Sequence, residues 1–423
     1  MSQLTSSEIN IALVTIGGLV IVLGLFSGFL KERFFLSDPI VALLIGVLLS
    51  PSVLGLIDLA HWGKPEGILE QGARLALAIQ VMGVALRLPK AYPFKQWRIL
   101  AVLLGLVMPL MWLISGLLVY LLLGLPFWVA MLVGAVITPT DPVVSTSVVT
   151  GKVAQQNLPN RIRHSLSAES AANDGLGYPF VLLPILILTK PPGEALVHWF
   201  TKTLLWEVGA AVILGALIGY AAGPLLRWAE AKQTIEKPSF LAYTVALSLA
   251  VLGFIKLIGS DSILAVFAAG IAFDMVVGGR ERDEEENIQE AVDRFFTLYI
   301  FVLLGLALPW QQWLELGWRG LLLVVAILLL RRLPAMLLVR PLLGRLRGMQ
   351  DVLFLGWFGP IGVAALFYAF LSLRKAGVEE PWIVGSLVIC ASILAHGLTA
   401  VPLAKLYAKH AQSRRNREKV ADG

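Results

Sequence analysis

Apolar stretches of about 20 residues follow one another along almost the whole chain, and they limit its fold more than any other feature. A helix rising about 1.5 Å per residue needs roughly 17–25 apolar residues to cross the hydrocarbon core of a bilayer. Thirteen stretches meet that need, at about 9–29, 39–57, 68–88, 98–124, 126–150, 161–189, 198–223, 239–258, 260–278, 291–309, 318–340, 350–373 and 381–406. Within hydrocarbon every backbone N–H and C=O must find a partner inside the protein. The expected fold is therefore an all-α polytopic membrane protein of about 13 transmembrane helices. Of 423 residues, 57% are apolar and 15% charged, and mean hydropathy is +0.80. Soluble domains run near 45–50% and about 25%. A soluble globular enzyme, a disordered chain and a transmembrane β-barrel are thereby excluded. The single cysteine, Cys390, provides neither a disulfide framework nor a thiolate metal site. No basic region precedes the first apolar stretch in MSQLTSSE, so no cleavable signal peptide is expected.

Lys and Arg collect on the cytoplasmic side of membrane proteins. With the N-terminus outside, 23 of the 34 Lys and Arg residues fall in inside regions, including the tail, and six fall outside. The expected topology has the N-terminus outside and the C-terminus in the cytoplasm. Residues 1–406 then form one transmembrane domain, followed by a short basic cytoplasmic tail at 407–423. The basic isoelectric point, about 9.4, reflects this topology, and nucleic acid is not an expected partner.

Two stretches carry helix breakers at mid-membrane depth. The fifth contains Thr138-Pro139-Thr140-Asp141-Pro142, and the twelfth Gly356-Trp357-Phe358-Gly359-Pro360-Ile361-Gly362. Each proline removes a backbone donor and crowds the preceding turn, so both helices should unwind there. Unwound backbone survives in a membrane only where protein buries it or where it lines a cavity. Stretches one to six (about 9–189) and eight to thirteen (about 239–406) make two halves of opposite topology around a linking helix at about 198–223. Both breaks then fall in the fifth helix of their half. Matched interruptions in inverted repeats point to a transport site.

Ionisable residues inside a membrane are costly and mark ion or proton paths. The densest group is Glu169-Ser170-Ala171-Ala172-Asn173-Asp174 in the sixth stretch. Glu169 and Asn173 share one helix face, and Ser170 and Asp174 a neighbouring one. Asp174, Asp141, Ser170 and the freed carbonyls of Pro139 and Thr140 offer oxygen ligands, which suit hard cations such as Na⁺. Desolvation disfavours a charged carboxylate without a partner. Such a group can hold a proton and a cation in turn, which is the simplest chemistry of cation/proton exchange. In the eleventh stretch, one of Arg331 and Arg332 is expected to pair with Glu169 in a buried structural ion pair, and the other to snorkel or meet a backbone carbonyl. Which does which stays open at this level. Glu70 and Arg74 stand four apart on one helix and are expected to satisfy each other. Gln80, further along, reaches either the site or a neighbouring helix. His396 reads as a packed interface histidine and His164 as a surface one. Asp261 and Asp274 lie near the ends of the ninth stretch, close to water, and the acidic run at 280–290 reads as a solvated loop.

Taken together, TPTDPVVSTSVVTGK (138–152), SAESAANDGLGYPF (167–180) and GWFGPIGVAALFYA (356–369) resemble the monovalent cation:proton antiporter-1 family. The likeness is strongest to the alkali-metal-cation/proton antiporters of fungal plasma membranes and their bacterial relatives. It implies inverted repeats with two crossing unwound helices at Pro139, Pro142, Gly359 and Pro360, and a homodimer in a plasma membrane, the inner membrane if bacterial. It also implies Asp174 as the ion- and proton-binding carboxylate, with Asn173 where electrogenic relatives have a second Asp. Asp141 and Thr140 belong to the crossing, Ser170 is a further ligand, and Glu169 pairs with Arg331 or Arg332. The implied activity is exchange of Na⁺ or Li⁺, with K⁺ a further candidate, for H⁺, electroneutral, in pH and sodium homeostasis, with no cofactor. One departure is that the chain ends soon after its last span, whereas the fungal proteins carry long cytoplasmic tails. Alternatives from other classes are an intramembrane hydrolase, for which GxGD and GxSG are missing, and a cation channel, for which no filter-like loop is evident.

Overall fold

The computed structural model describes residues 6–144, 146–232, 240–277 and 296–421. A helix runs in each of the thirteen apolar stretches. Eight helices among the described residues are long and apolar enough to cross a membrane by themselves, and four apolar helices are shorter: Asp38–Leu49, Phe127–Val136, Ser262–Val276 and Phe296–Leu306. The acidic run at 280–290 lies outside the described residues.

The fifth segment is helical over Phe127–Val136, breaks, and resumes at Thr146–Val149. The twelfth is helical over Met349–Trp357, breaks, and resumes over Val363–Ala376. The sixth, Asn160–Thr189, passes beside both and keeps Glu169, Ser170, Asn173 and Asp174 buried. Close approach of the seventh segment (Pro192–Ala231) to the ninth (Ser262–Val276) depends on small residues. A Cβ at Gly215 or Gly219 would collide with the carbonyl oxygens of Ala265 and Ala269. This is the small-residue spacing that lets membrane helices meet backbone to backbone. The first helix, Ser6–Arg33, stands at the periphery with Leu13, Val14, Ile21 and Leu25 exposed, as expected of a lipid-facing helix.

Several boundaries differ from the sequence reading, the second helix for one ending at Leu49, whereas the eleventh starts at about 318 as expected. The eleventh segment divides at Gly317, whose φ of 54° turns the chain between Trp310–Leu316 and the helix proper; glycine tolerates that left-handed conformation. The helix then stops again at Arg331, and Leu333–Val339 forms a separate turn after it. The last helix runs unbroken from Glu380 to Ala421, well past the apolar stretch. Lys, Arg, Ala, Gln and Glu dominate the added turns and are strong helix formers, so the helix continues into the basic tail.

At the start of the first helix, His61 Nδ1 lies 2.7 Å from Glu8 Oε1 and ties that helix to the short Leu59–His61 turn. Hydrogen bonding to Glu8 raises the His61 pKa above its ordinary 6.5. A raised folded-state pKa contributes stability that is complete below the unfolded value and is lost as pH rises through the folded one. His61→Gln is therefore expected to lower the melting temperature at pH about 5.5 and to match wild type by pH about 9. A deficit that grows with pH would reject the pairing.

Candidate ion-binding site at the helix crossing

The two breaks meet, and each completes the hydrogen bonding of the other. In an unbroken helix the carbonyl of Ile137 would accept from Asp141 N–H, and that of Thr138 from residue 142, a proline with no N–H. Asp141 N–H instead donates to Pro360 O across the crossing, at 2.8 Å. Symmetrically, Val363 N–H, the helical partner Gly359 O would have had, donates to Asp141 Oδ2 at 2.6 Å. The orphaned carbonyls fall to one guanidinium. Arg331 donates to Ile137 O at 2.6 Å and Thr138 O at 3.0 Å, and also to Gly359 O. A buried cation thus sits where two broken helices expose their carbonyl ends, as the helix dipole favours.

Arg332 is the partner of Glu169. Its Nη1 and Nη2 lie 2.6 and 2.7 Å from Oε1 and Oε2, a two-pronged pair, and its Nε donates to Leu355 O at 2.8 Å. The residues next to each other in sequence thus divide the work, Arg331 taking carbonyls and Arg332 the carboxylate. The expected pairing of Glu70 with Arg74 is not what forms. Glu70 instead binds Arg374 of the twelfth segment, with Nη2–Oε1 at 2.8 Å and Nε–Oε2 at 2.9 Å. A guanidinium from a facing helix meets the carboxylate with two donors at once.

Asp141 is hydrogen-bonded through both oxygens. Besides Val363, its Oδ1 accepts from Val143 N–H at 2.6 Å, Val144 N–H at 3.2 Å and Gln80 Nε2 at 3.2 Å. Gly362 packs so closely on this carboxylate that no side chain fits there. Asn173 clasps Thr140: its Oδ1 accepts from Thr140 N–H at 2.9 Å and its Nδ2 donates to Thr140 Oγ1 at 2.8 Å. Ser170 Oγ lies 3.0 Å from the same hydroxyl.

Asp174 is different. It is wholly buried, yet among the described residues neither carboxylate oxygen has a hydrogen-bond partner, while Asp141 stands within electrostatic range. Gln80 Oε1 is buried and unpartnered as well. The structure therefore brings Asp174, Asp141, Thr140, Ser170 and Asn173 together and leaves an acid among them with open oxygens. Such oxygens suit a hard cation or a proton.

Two contributors escaped the sequence reading. Tyr368 donates its hydroxyl to the carbonyls of Asp174 and Gly175. Gly175 O is free because its helical partner would be Pro179, so the proline in the sixth stretch was the signal. Ser392 Oγ accepts from Ile361 N–H at 2.8 Å, inside the second break. His396 packs as expected, its Nε2 3.0 Å from Trp357 O. His164 stands half-buried against the Tyr92 ring. Asp261, expected near water, is buried and caps the ninth helix by accepting from Ile263 and Leu264 N–H.

Comparison with known proteins shows the family and the fold. The family model described as sodium/hydrogen exchanger, transmembrane, matches residues 18–406. The chain is 36% identical over 379 residues to Na(+)/H(+) antiporter 2 of Zygosaccharomyces rouxii, covering 88% of this chain and 47% of that one. It is 34% identical over 390 residues to the Na(+)/H(+) antiporter of Saccharomyces cerevisiae, covering 90% and 40%. It thus spans less than half the length of these two relatives. In fold it matches the sodium proton antiporter MjNhaP1 from Methanocaldococcus jannaschii, with a TM-score of 0.72 at 19% identity, over 95% of this chain and 98% of that one.

Proposed function

Because this chain belongs to the transmembrane sodium/hydrogen exchanger family, we propose that it exchanges Na⁺ or Li⁺, and K⁺ as a further candidate, for protons at Asp174. The observation that carries this reading is a wholly buried carboxylate with both oxygens open, set among the oxygens of Thr140, Ser170 and Asp141. Desolvation penalises a bare negative charge there. The site is therefore occupied either by a proton or by a cation, and alternating access carries whichever is bound. Asp141, Thr140, Ser170 and Asn173 shape the site. The Glu169–Arg332 pair and Arg331 hold the unwound crossing in place. Hydrolysis by an aspartate pair finds no support, since Asp141 already accepts four hydrogen bonds.

Exchange is electroneutral on this reading. Asn173 carries no charge, so one carboxylate titrates per cycle and one cation replaces one proton. The bias of Lys and Arg supports an outside N-terminus, and the likeness to plasma-membrane relatives supports that location, a homodimer and a role in pH and sodium homeostasis.

The test is proton flux in proteoliposomes with an acid interior, adding Na⁺, Li⁺, K⁺ or choline in turn. Alkali cations are expected to collapse the gradient and choline is not, with little change under an imposed membrane potential. Silence towards every cation from pH about 5 to about 9 would reject antiport, that range covering the titration of a carboxylate in such a setting. A rate that follows the potential would reject electroneutrality.

A further inference from the structure

A second group of buried oxygens lies on the outer side of Asp174 and takes no part in the crossing. Glu207 in the seventh segment is 6% exposed and Asp261 at the head of the ninth is 5% exposed. The two are joined through backbone, since Asp261 N–H donates to Glu207 O at 2.9 Å and Ser260 Oγ to the same oxygen at 2.7 Å. Yet among the described residues Glu207 Oε2 and Asp261 Oδ2 are both without a hydrogen-bond partner. So is the hydroxyl of Thr203, which is wholly buried. Thr203 precedes Glu207 by four residues, so both side chains leave the helix on the same side. This stretch, Trp199–Ala210, is wound as a π-helix, a rare winding often found at functional positions.

The group adjoins the main site. Tyr178, one turn beyond Asp174, reaches the Glu207 carboxylate and lies within electrostatic range of Asp261. Gly175, next to Asp174, packs directly on Leu264, three residues after Asp261. Lys256, Lys375, Lys202 and Arg374 stand in the surrounding field. None forms an ion pair with either acid among the described residues. Two buried acids side by side without a counter-cation are costly. One proton would satisfy one oxygen and leave the other acid and the Thr203 hydroxyl unmet, whereas an alkali cation can draw oxygens from all three side chains.

We propose that Glu207, Asp261 and Thr203 form a second binding site for a monovalent alkali cation, through which cations pass between the outer face and Asp174. This rests on the antiport reading above. It makes Glu207 act on one face of the membrane only.

The test compares right-side-out with everted membrane vesicles, measuring half-saturation by Na⁺ added at the outer or the cytoplasmic face. Glu207→Gln is expected to raise the outer value about tenfold or more, as loss of one charged ligand does, and to shift the ratio of outer to cytoplasmic values by a similar factor. Asp261→Asn, which keeps an oxygen to cap the ninth helix, should act in the same direction, and Glu207→Asp should restore most of the outer affinity. Equal changes at both faces would mark a structural role and overturn the proposal. So would an altered pH profile with the outer Na⁺ half-saturation unmoved. Wild type active at both faces with Glu207→Gln indistinguishable from it overturns the outer site alone. Wild type silent in both vesicles overturns antiport and the outer site together.

Discussion

Asp174→Asn is expected to abolish cation-driven proton flux while leaving the folded protein as stable as wild type or more so. The substitution keeps volume and removes a buried acid that is open to both a proton and a cation. Among the described residues neither oxygen of Asp174 holds a hydrogen bond, so no hydrogen bond seen there is lost. What disappears is an unpaired buried acid, whose burial costs stability. Asp141→Asn should behave in the opposite sense. Asp141 accepts from three backbone N–H groups and from Gln80, and an amide nitrogen cannot accept from the donor it faces. An orphaned buried donor costs about 1–3 kcal/mol, so this variant should melt lower. Flux and thermal melting in detergent, measured on both variants, separate the two aspartates. Substantial flux through Asp174→Asn would remove it from the transport cycle, and a large drop in its melting temperature would show a structural role instead.

The second large effect belongs to the Glu169–Arg332 pair. Both residues are about 97–99% removed from solvent and are joined by two short hydrogen bonds. Arg332→Met strands a carboxylate, and Glu169→Leu strands a guanidinium that also serves Leu355 O. Breaking a buried pair from one side costs about 3–5 kcal/mol, far above the 0–1 kcal/mol typical of surface pairs. The double replacement leaves no stranded charge, so it should recover much of either loss. Unfolding free energies for the two single variants and the double variant close the cycle. Additive losses would mean that the two side chains do not act on each other. Arg331→Met should not be rescued by Glu169→Leu, because Arg331 spends its donors on the carbonyls of Ile137, Thr138 and Gly359.

By itself the sequence determined the membrane architecture and the two breaks, and it singled out Asp174 as an acid at mid-membrane depth. Each of these follows from short-range chemistry: a run long enough to cross hydrocarbon, prolines that cannot donate, and an acid with no opposite charge nearby on its own helix. Tertiary structure decided the partners. Glu169 and Arg332 are 163 residues apart and Glu70 and Arg374 are 304 apart, so helix spacing favoured Arg74 where a facing helix supplied Arg374. Arg331 and Arg332 are chemically identical and adjacent. Only the carbonyls freed at the crossing, visible once Asp141 donates to Pro360, assign Arg331 to backbone and Arg332 to Glu169. Asp141 reads as an ion ligand from its type and depth, and only the fold shows that three backbone N–H groups and Gln80 also hold its carboxylate. Glu207 and Asp261 meet through backbone, Asp261 N–H donating to Glu207 O, where Gly215 and Gly219 let the seventh helix lie against the ninth. Periodicity records which faces are apolar, while the contacts of a buried polar group depend on which backbone the fold brings within 3 Å of it.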